Sequence, residues 1–210
     1  MAKQMAFYFD ASACANCKVC QIACQDKNDL PPALRWRRVI QYSGGTWNPS
    51  PSAPGVMEQN IYSYSISLSC MHCQNPLCVE VCPTTAMTKR EDGIVEIDSS
   101  KCIGCRYCEW ACPYGAPQFN EASGTMSKCN FCSDLLAEGK NPACVDACVM
   151  RAIDYGELEE LQAKYGATVD AIEPLPSAEY TRPSVVIKPH AKSQQPGEGD
   201  GHLLNLQEEI

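Results

Sequence analysis

Sixteen cysteines in a chain of 210 residues constrain the fold of this protein more than any other feature of its sequence. They fall into four groups of four: Cys14, Cys17, Cys20 and Cys24; Cys70, Cys73, Cys78 and Cys82; Cys102, Cys105, Cys108 and Cys112; Cys129, Cys132, Cys144 and Cys148. Groups one and three share the spacing C-x2-C-x2-C-x3-C, whereas group two widens the middle gap to four residues and group four to eleven. Every group ends in C-x3-C, so the chain contains an internal repeat.

Three kinds of structure use cysteine at this density: disulfide bonds, structural zinc sites and iron–sulfur clusters. Some such centre is needed, because 4 Phe and 3 Trp in the whole chain give only a thin hydrophobic core. Disulfides form in export compartments, and the first residues, MAKQMAFYFDASAC, show no secretory leader. Zinc sites take two C-x2-C pairs and gain nothing from a third cysteine three residues later. The spacing therefore favours iron–sulfur clusters, with a zinc-rich structural module as the alternative.

The three-plus-one spacing within each group has a physical explanation. Cysteines three residues apart in an irregular loop can direct three thiolates to three corners of one compact cube. The fourth cysteine lies about one helical turn further along and therefore points elsewhere. In two-cluster bacterial ferredoxins, the run C-x2-C-x2-C-x3-C-P places its fourth cysteine on the other cluster. Two such groups thus bind two 4Fe–4S clusters by exchanging their fourth ligands.

Proline and turn signals indicate which groups exchange ligands. Pro83 and Pro113 follow the last cysteines of groups two and three, and no proline follows those of groups one and four. Between groups two and three, residues 87–90 and 94–97 are predicted to form a hairpin whose turn contains Gly93. Groups one and four then pair by elimination. The alternative, in which group one pairs with two and three with four, must bridge 45 residues between the first two groups and breaks the proline symmetry.

The nested pairing predicts four ligand sets, each with three cysteines from one group and the last cysteine of its partner group. Cluster A takes Cys14, Cys17, Cys20 and Cys148; cluster B takes Cys24, Cys129, Cys132 and Cys144; cluster C takes Cys70, Cys73, Cys78 and Cys112; cluster D takes Cys82, Cys102, Cys105 and Cys108. The same sixteen cysteines would bind all the iron, and no residue set predicts a catalytic centre.

Charge and hydropathy exclude two kinds of partner contact. The net charge of −8 argues against nucleic acid, because phosphate binding needs a basic face. No run of about 18 apolar residues is present. The longest candidate, residues 61–79, is free of charge but contains Cys70, His72 and Pro76. We therefore expect no direct membrane span and no nucleic-acid partner.

Several motifs resemble known families. The stretches CPTTAM from Cys82, EDGIVEID from Glu91 and CIGCRYC from Cys102 are similar to a bacterial 2×(4Fe–4S) ferredoxin core. From about residue 7 to 193 the chain resembles the iron–sulfur subunit family of molybdopterin oxidoreductases, in particular the electron-transfer (B) subunits of anaerobic dimethyl sulfoxide reductases. The stretches that carry this likeness are YSGGTW, MTKREDG, ACPYGAPQFNE, LAEGKNPAC and VIKPHAKS.

The resemblance implies a non-catalytic electron-transfer subunit with four 4Fe–4S clusters in a row. Its partners would be a molybdopterin catalytic subunit, which reduces dimethyl sulfoxide and other S- or N-oxides, and a polytopic membrane anchor that oxidises quinol. Nitrate reductase relatives carry Trp at one group-three position; here it is Cys105, so all four clusters are expected to hold four irons. Co-export with the catalytic subunit would place the protein peripherally on the periplasmic face of the cytoplasmic membrane. Equivalent subunits of tetrathionate, polysulfide or selenate enzymes, and a free polyferredoxin, are the alternatives.

The predicted fold class is α+β, with two nested bacterial-ferredoxin-like modules, loop insertions and an extended C-terminal arm. The boundaries are residues 1–30 plus 124–165 for the outer module, 31–69 for an insertion, 70–123 for the core module and 166–210 for the arm. Strands are predicted over residues 7–9 and 61–69, and short helices over 132–138 and 157–165. The arm is rich in proline and glycine, which indicates a segment that wraps a partner, and residues after about Gln194 are expected to order only in a complex.

Charged and aromatic residues near the cysteines have competing interpretations. His72 is expected as a hydrogen-bond donor behind the ligands, or as a group near a quinol or the anchor, rather than as a ligand. Residues 35–38, Arg-Trp-Arg-Arg, either dock a partner, offset the cluster charge or form one face of a surface strand. Arg106 and Lys128 either raise a reduction potential or are solvated surface charges. Three aromatic residues are expected to pack rather than to relay electrons: Tyr107, Trp110 and Tyr114.

Overall fold

The computed structural model describes residues 3–205, and over that range the protein is a mixture of short strands and short helices, as predicted. The strands are β1 (Met5–Asp10), β2 (Arg38–Gly44), β3 (Trp47–Pro49), β4 (Met57–Gln59), β5 (Tyr62–Leu68), β6 (Met87–Lys89), β7 (Val95–Ile97), β8 (Gln118–Asn120), β9 (Thr125–Ser127), β10 (Ile153–Glu157), β11 (Val185–Lys188) and β12 (His202–Leu203). The helices are α1 (Val19–Lys27), α2 (Leu77–Glu80), α3 (Tyr107–Ala111), α4 (Ser133–Ala137), α5 (Ala143–Asp146) and α6 (Leu158–Tyr165). The predicted strands over 7–9 and 61–69 and the predicted helices over 132–138 and 157–165 are confirmed.

Strand β1 is the centre of the first sheet, between antiparallel β10 and parallel β11. Its side chains alternate between two faces, as the pleat of a strand requires. Phe7 lies on the face toward the main core and stacks on Phe131, with ring centroids 4.1 Å apart. Tyr8 lies on the opposite face and stacks on Tyr165 of α6 at 3.5 Å. Both faces of β1 are therefore buried, which explains its almost continuous apolar sequence.

The second sheet has the order β12-β2-β5 and leads directly into the second cysteine group. Strands β2 and β5 pair antiparallel, with Ile40 opposite Ile66. Strand β5 ends at Leu68, two residues before Cys70. The hairpin β3–β4 extends from this sheet with both of its strands exposed.

Two further hairpins flank the groups that are predicted to form the core module. Strands β6 and β7 pair antiparallel, with Met87 opposite Ile97, so the predicted hairpin over residues 87–97 is confirmed. Gly93 lies in its turn with φ +83°, a conformation that residues other than glycine rarely adopt. Strands β8 and β9 form the second hairpin, and Met126 of β9 packs with Met87 in a small separate core.

The C-terminal segment folds back on the rest of the protein. Strand β11 lies parallel to β1, with Val186 opposite Tyr8. Strand β12 pairs with β2, and the Asn205 side chain is buried against Val39 and Gln41. Residues 195–205 thus find partners within the same polypeptide. Residues 206–210 lie outside the described residues.

The helices that carry cysteines contact one another in two pairs. Helix α1 packs on α5, and α2 packs on α3. Groups one and four therefore meet, and groups two and three meet. None of the helices within residues 3–205 combines the length and the apolar character that crossing a bilayer requires.

Candidate metal centres

The four cysteine groups share one local design. In each group the third cysteine is the second residue of a helix: Cys20 in α1, Cys78 in α2, Cys108 in α3 and Cys144 in α5. The fourth cysteine follows one helical turn later, on or just beyond the same helix. The repeat in the sequence is therefore also a repeat in the structure.

A second repeated feature is a left-handed residue immediately before the second cysteine of every group. These residues are Asn16 (φ 55°), His72 (φ 42°), Gly104 (φ 67°) and Phe131 (φ 63°). Left-handed backbone is unfavourable for residues other than glycine, so the surrounding structure must hold the other three in place. Gly104 and, less strongly, Asn16 are the members whose residue type suits this conformation. A Cβ atom at position 104 would lie 2.4 Å from the carbonyl oxygen of Gly124, so the close contact between the two backbone segments also requires glycine here.

The predicted cysteines of cluster A lie around one recess. Cys14, Cys17, Cys20 and Cys148 all line it, together with apolar residues such as Phe9. Burial, followed by the charges of its three cysteine neighbours, raises the pKa of Cys14 to about 11. Cys17 is exposed, and Cys20 and Cys148 are buried.

The predicted cysteines of cluster D line a similar recess elsewhere in the fold. It is lined by Cys82, Cys102, Cys105 and Cys108. Burial, together with the charges of Cys102 and Cys105, raises the pKa of Cys108 to about 11. Burial acts against ionisation of Cys82 as well, but hydrogen bonds from backbone amides such as that of Met87 outweigh it and lower the pKa of this thiol.

The other two predicted sets are also brought together, deeper in the protein. For cluster B, Cys24 interacts electrostatically with Cys144 and Cys132, and Cys129 interacts with Cys24 and Cys144. Burial and these like charges raise the pKa of Cys24 to about 12.

For cluster C, Cys78 interacts with Cys70, Cys112 and Cys73. Burial and the charges of Cys70 and Cys112 raise the pKa of Cys73 to about 12, although the Thr181 hydroxyl acts in the opposite direction. Each set thus combines three cysteines of one group with the last cysteine of another.

Backbone amides point at several of the sulfur atoms. The N–H groups of Met87, Met126 and Phe131 donate to the Sγ atoms of Cys82, Cys102 and Cys129, each at 3.4 Å, and that of Ala152 donates to Cys148 at 3.2 Å. Such donors stabilise a thiolate and are one of the means by which a protein tunes an iron–sulfur centre.

The arrangement fits a metal cluster better than single ions or disulfides. All sixteen cysteines, which lie within the described range, are free thiols. Within residues 3–205 no three His, Cys, Asp or Glu side chains converge closely enough to hold one metal ion. In sets A and D four cysteines instead line one recess each, and four cysteine sulfurs are the donor set of a 4Fe–4S cluster.

Three polar side chains that the sequence left ambiguous lie in the interior. His72 is 1 % exposed, so it is not a surface group. Its Nδ1 accepts a hydrogen bond from the Val95 amide at 3.0 Å, which places the ring proton on Nε2. Lys128 is 4 % exposed and Arg37 is 2 % exposed, so neither is a solvated surface charge.

The other residues of these segments behave differently. Arg38 donates to the carbonyl oxygens of Tyr114 and Gly115 at 2.8 and 3.2 Å, so part of segment 35–38 contacts its own polypeptide. Arg106 is half-exposed and forms an ion pair with Glu109 at 2.7 Å, as expected of a surface charge. Tyr114 is buried, as the packing interpretation requires. The same interpretation is wrong for two exposed residues of α3, Tyr107 and Trp110.

Sequence reasoning missed two residues that shape these centres. Phe131 is completely buried and contacts Phe7, His72 and Tyr155, so it joins three segments of the chain. Ser67 of β5 lies 3.3 Å from the sulfur of Cys20, and nothing in its local sequence distinguishes it from the other serines of that strand.

Comparison with known proteins supports the same chemistry. A family model described as a 4Fe–4S dicluster domain matches residues 61–158. The B subunit of anaerobic dimethyl sulfoxide reductase from Shigella flexneri is 50 % identical over 208 residues, which cover 99 % of this chain and 100 % of that protein. The corresponding protein of Haemophilus influenzae is 45 % identical over 98 % of this chain and 99 % of its own length. The B subunit of polysulfide reductase from Wolinella succinogenes is 34 % identical over 91 % of this chain and 97 % of its own length. These matches confirm the predicted ferredoxin-like α+β fold and the 4Fe–4S cofactors.

Proposed function

This protein belongs to the family of iron–sulfur electron-transfer subunits that includes the B subunit of anaerobic dimethyl sulfoxide reductase, and from this premise we propose its place in an electron-transfer complex. It conducts electrons through four 4Fe–4S clusters from a quinol-oxidising membrane anchor to a molybdopterin catalytic subunit, which reduces dimethyl sulfoxide and other S- or N-oxides. Each bound cluster supplies one-electron redox chemistry. The residues of this protein hold the clusters in sequence, tune them and exclude water, and they touch no substrate.

The ligand sets A to D are part of this proposal. The recesses lined by sets A and D support them, as do the electrostatic contacts within sets B and C. The division into an outer module (1–30 plus 124–165) and a core module (70–123) follows the same pairing. Its support is the packing of α1 on α5 and of α2 on α3, with the pairing of β1 and β10.

The observation that carries the proposal is the continuity of the four sets. Sets A and B share α1, because Cys20 and Cys24 lie one turn apart on it. Sets B and C are neighbours, because Cys129 interacts electrostatically with Cys70. Sets C and D both draw ligands from the contacting elements around α2 and α3. The resulting order is A, B, C, D, which is an arrangement for passing charge along the molecule.

Exposed apolar residues at the two terminal sets support a partner at each end. Near set A, the exposed residues Ile22, Val149 and Met150 adjoin cysteines of groups one and four. Near set D, Ile103 (66 % exposed) and Trp110 (75 % exposed) lie beside group three. Groups of large exposed apolar side chains of this kind are typical of protein-binding sites. A free polyferredoxin would have no use for two such surfaces. Attachment through these partners to the periplasmic face of the cytoplasmic membrane completes the proposal.

The proposal is tested on the protein co-produced with its partner subunits and purified without oxygen. We expect about sixteen irons and sixteen acid-labile sulfides per polypeptide. Reduction by a quinol analogue should bleach the cluster absorbance, and dimethyl sulfoxide should restore it. Stoichiometric zinc, or clusters that dimethyl sulfoxide cannot reoxidise through the complex, would contradict the proposal.

Variants can test the two partner surfaces in the same preparation. Trp110→Asp should release one partner, and Ile22→Asp should release the other, because each places a charge in an apolar contact. Tyr180→Asp is the control, since Tyr180 is 66 % exposed and lies away from all four cysteine groups in the sequence. Retention of both partners by both test variants would rule out these surfaces as the docking sites.

A further inference from the structure

Two positive side chains in the interior have no carboxylate partner within the described residues. Arg37 and Lys128 are almost completely buried, and over residues 3–205 their hydrogen bonds go to serine and to backbone carbonyl oxygens. Burying a charge without a counter-charge is very unfavourable. The functional protein therefore needs negative charge beside each of them, and the neighbouring groups are cysteine sulfurs.

Arg37 is held in a fixed orientation between sets A and B. Its Nη1 donates to the Ser67 hydroxyl at 2.9 Å and to the Ser67 carbonyl at 3.2 Å. Its guanidinium lies over the ring of Phe7, 4.7 Å from the centroid. Because the Ser67 hydroxyl accepts from Arg37, its own proton is available to the sulfur of Cys20, 3.3 Å away. One hydroxyl thus links the cation to a ligand of set A.

The second terminal nitrogen of Arg37 is directed to set B. Among the described residues, the fully buried Nη2 has no hydrogen-bond partner of ordinary geometry, and the sulfur that the guanidinium interacts with as a hydrogen-bond donor is that of Cys144. Burial acts to lower the pKa of Arg37, but nearby sulfurs outweigh it and raise that pKa, and Cys144 has the largest effect. The other sulfurs that act on Arg37 are those of Cys20, Cys129 and Cys24. A buried donor next to a thiolate-rich site indicates that the site carries negative charge when complete.

Lys128 has the corresponding position beside set C. Its ammonium donates to the carbonyl oxygens of Val95 and Cys129, the latter at 3.0 Å. It interacts electrostatically with Cys78 and Cys112, both of which belong to set C. The two cations that adjoin set D cysteines in sequence, Lys101 and Arg106, are instead exposed and paired with Asp98 and Glu109.

We propose that Arg37 is a fixed counter-charge that raises the reduction potentials of clusters A and B, and that Lys128 does the same for cluster C. This inference rests on the ligand sets proposed above. Reduction adds one electron to a site, with no bond made or broken. A neighbouring cation therefore stabilises the reduced form more than the oxidised form. In the interior the effect is large, since the local dielectric constant is low and salt screens buried charges weakly.

The test is a potentiometric titration of the intact complex, followed by electron paramagnetic resonance. Arg37→Gln should lower the midpoint potentials of two of the four clusters by at least about 59 mV, which is a tenfold change in a one-electron equilibrium. Arg37→Lys, which keeps the charge, should restore most of this shift. Lys128→Met should lower the midpoint potential of a different cluster and leave the potentials of those two unchanged. Arg151→Gln is the matched control, because it removes an exposed charge three residues from Cys148. It should shift every midpoint potential by less than half of the shift that Arg37→Gln causes.

Iron and sulfide content must be measured on every variant, because it separates this inference from the assignment of the clusters. A wild-type protein without four clusters refutes the proposed function. A variant with full iron content but unshifted potentials refutes only the role of its cation. If Arg37→Gln does not assemble, Lys128→Met carries the test of the buried counter-charge. Ser67→Ala then tests only the link to set A: it keeps the Arg37 charge and removes the hydroxyl, so it should lower the potential of one cluster alone. Equal shifts of all four clusters, or none, would overturn the inference.

Discussion

Replacement of Cys24 by serine tests the exchange of fourth ligands directly. Cys24 lies on α1, one turn beyond Cys20, and is 6 % exposed. Its electrostatic neighbours are Cys144 and Cys132 of group four rather than the cysteines of its own group. Serine is nearly the same size, so α1 and the group-one loop should remain folded. We therefore expect Cys24→Ser to damage the cluster of group four and to leave that of group one intact.

The magnitude follows from the composition of the sites. Cluster B retains three of its four cysteines, so the iron content should fall from about sixteen to about fifteen if a three-iron cluster survives, or to about twelve if the whole cluster is lost. Sulfide analysis distinguishes these results. The assay is iron and sulfide determination on the anaerobic complex, combined with paramagnetic resonance of the reduced protein.

Two reference variants identify the damaged cluster without prior assignment of its signals. Cys132→Ser removes a ligand that belongs to the group-four cluster under either pairing, and Cys17→Ser removes one that belongs to the group-one cluster. The spectrum of Cys24→Ser should match that of Cys132→Ser, and the spectrum of Cys148→Ser should match that of Cys17→Ser. The opposite matches would show that each group binds its own cluster and would refute the nested assignment.

Phe131→Ala should destabilise the protein by about 3–5 kcal/mol, because it empties a fully buried aromatic site. The control, Trp110→Ala, removes a side chain that is 75 % exposed and should destabilise the protein by less than about 0.5 kcal/mol. Anaerobic unfolding in guanidinium measures both changes. Gly104→Ala and Gly124→Ala both impose a side chain at φ +67°, which costs about 1 kcal/mol. Only the added Cβ of Gly104→Ala would also clash with a backbone atom, at 2.4 Å, so only this variant should lose the iron of one cluster. Equal iron loss in both variants would show that the clash is unimportant. Burial opposes ionisation of Asp10, but hydroxyl and ammonium donors hold its pKa below the usual 3.8. Its stabilising effect is therefore complete above the unfolded-state pKa and is lost as the pH falls through the lower folded-state pKa. Asp10→Asn should lower the melting temperature at pH 7, and the loss of stability should be below about 1 kcal/mol because the lysine partner is half-exposed. The difference in melting temperature between the variant and the wild type should become smaller in acid. A difference that is the same at every pH would contradict the lowered pKa of Asp10.

Much of the site could be predicted from the sequence because it is built from local repeats. The spacing of the sixteen cysteines predicts that they are cluster ligands. The hairpin around Gly93 is predicted by a turn sequence within a few residues of both strands. Strands such as β1 and β5 are also local patterns of apolar residues. The nested ligand sets stay a prediction, but the spacing and the proline positions were sufficient to formulate it.

The positions of the charges could not be predicted in the same way. Residues 35–38 contain three arginines in four positions, and the sequence offers no reason why Arg37 alone should be buried. Its burial depends on Ser67 and Phe7, which are distant in the sequence and meet only when β2, β5 and β1 assemble. The same holds for Phe131, whose left-handed backbone is stabilised by packing rather than by its own conformational preference.

The sequence by itself determined the chemistry of this protein, because cysteine spacing along a loop and helix limits which sulfurs can reach one cluster. The tertiary structure decided the electrostatic environment and the path of the C-terminal segment. Pairing of β11 with β1 joins residues such as Val185 and Phe7, which are near the two ends of the polypeptide. The sequence of each strand does not indicate which strand it pairs with, because each strand needs only to be apolar. The shape of the assembled core determines the pairing.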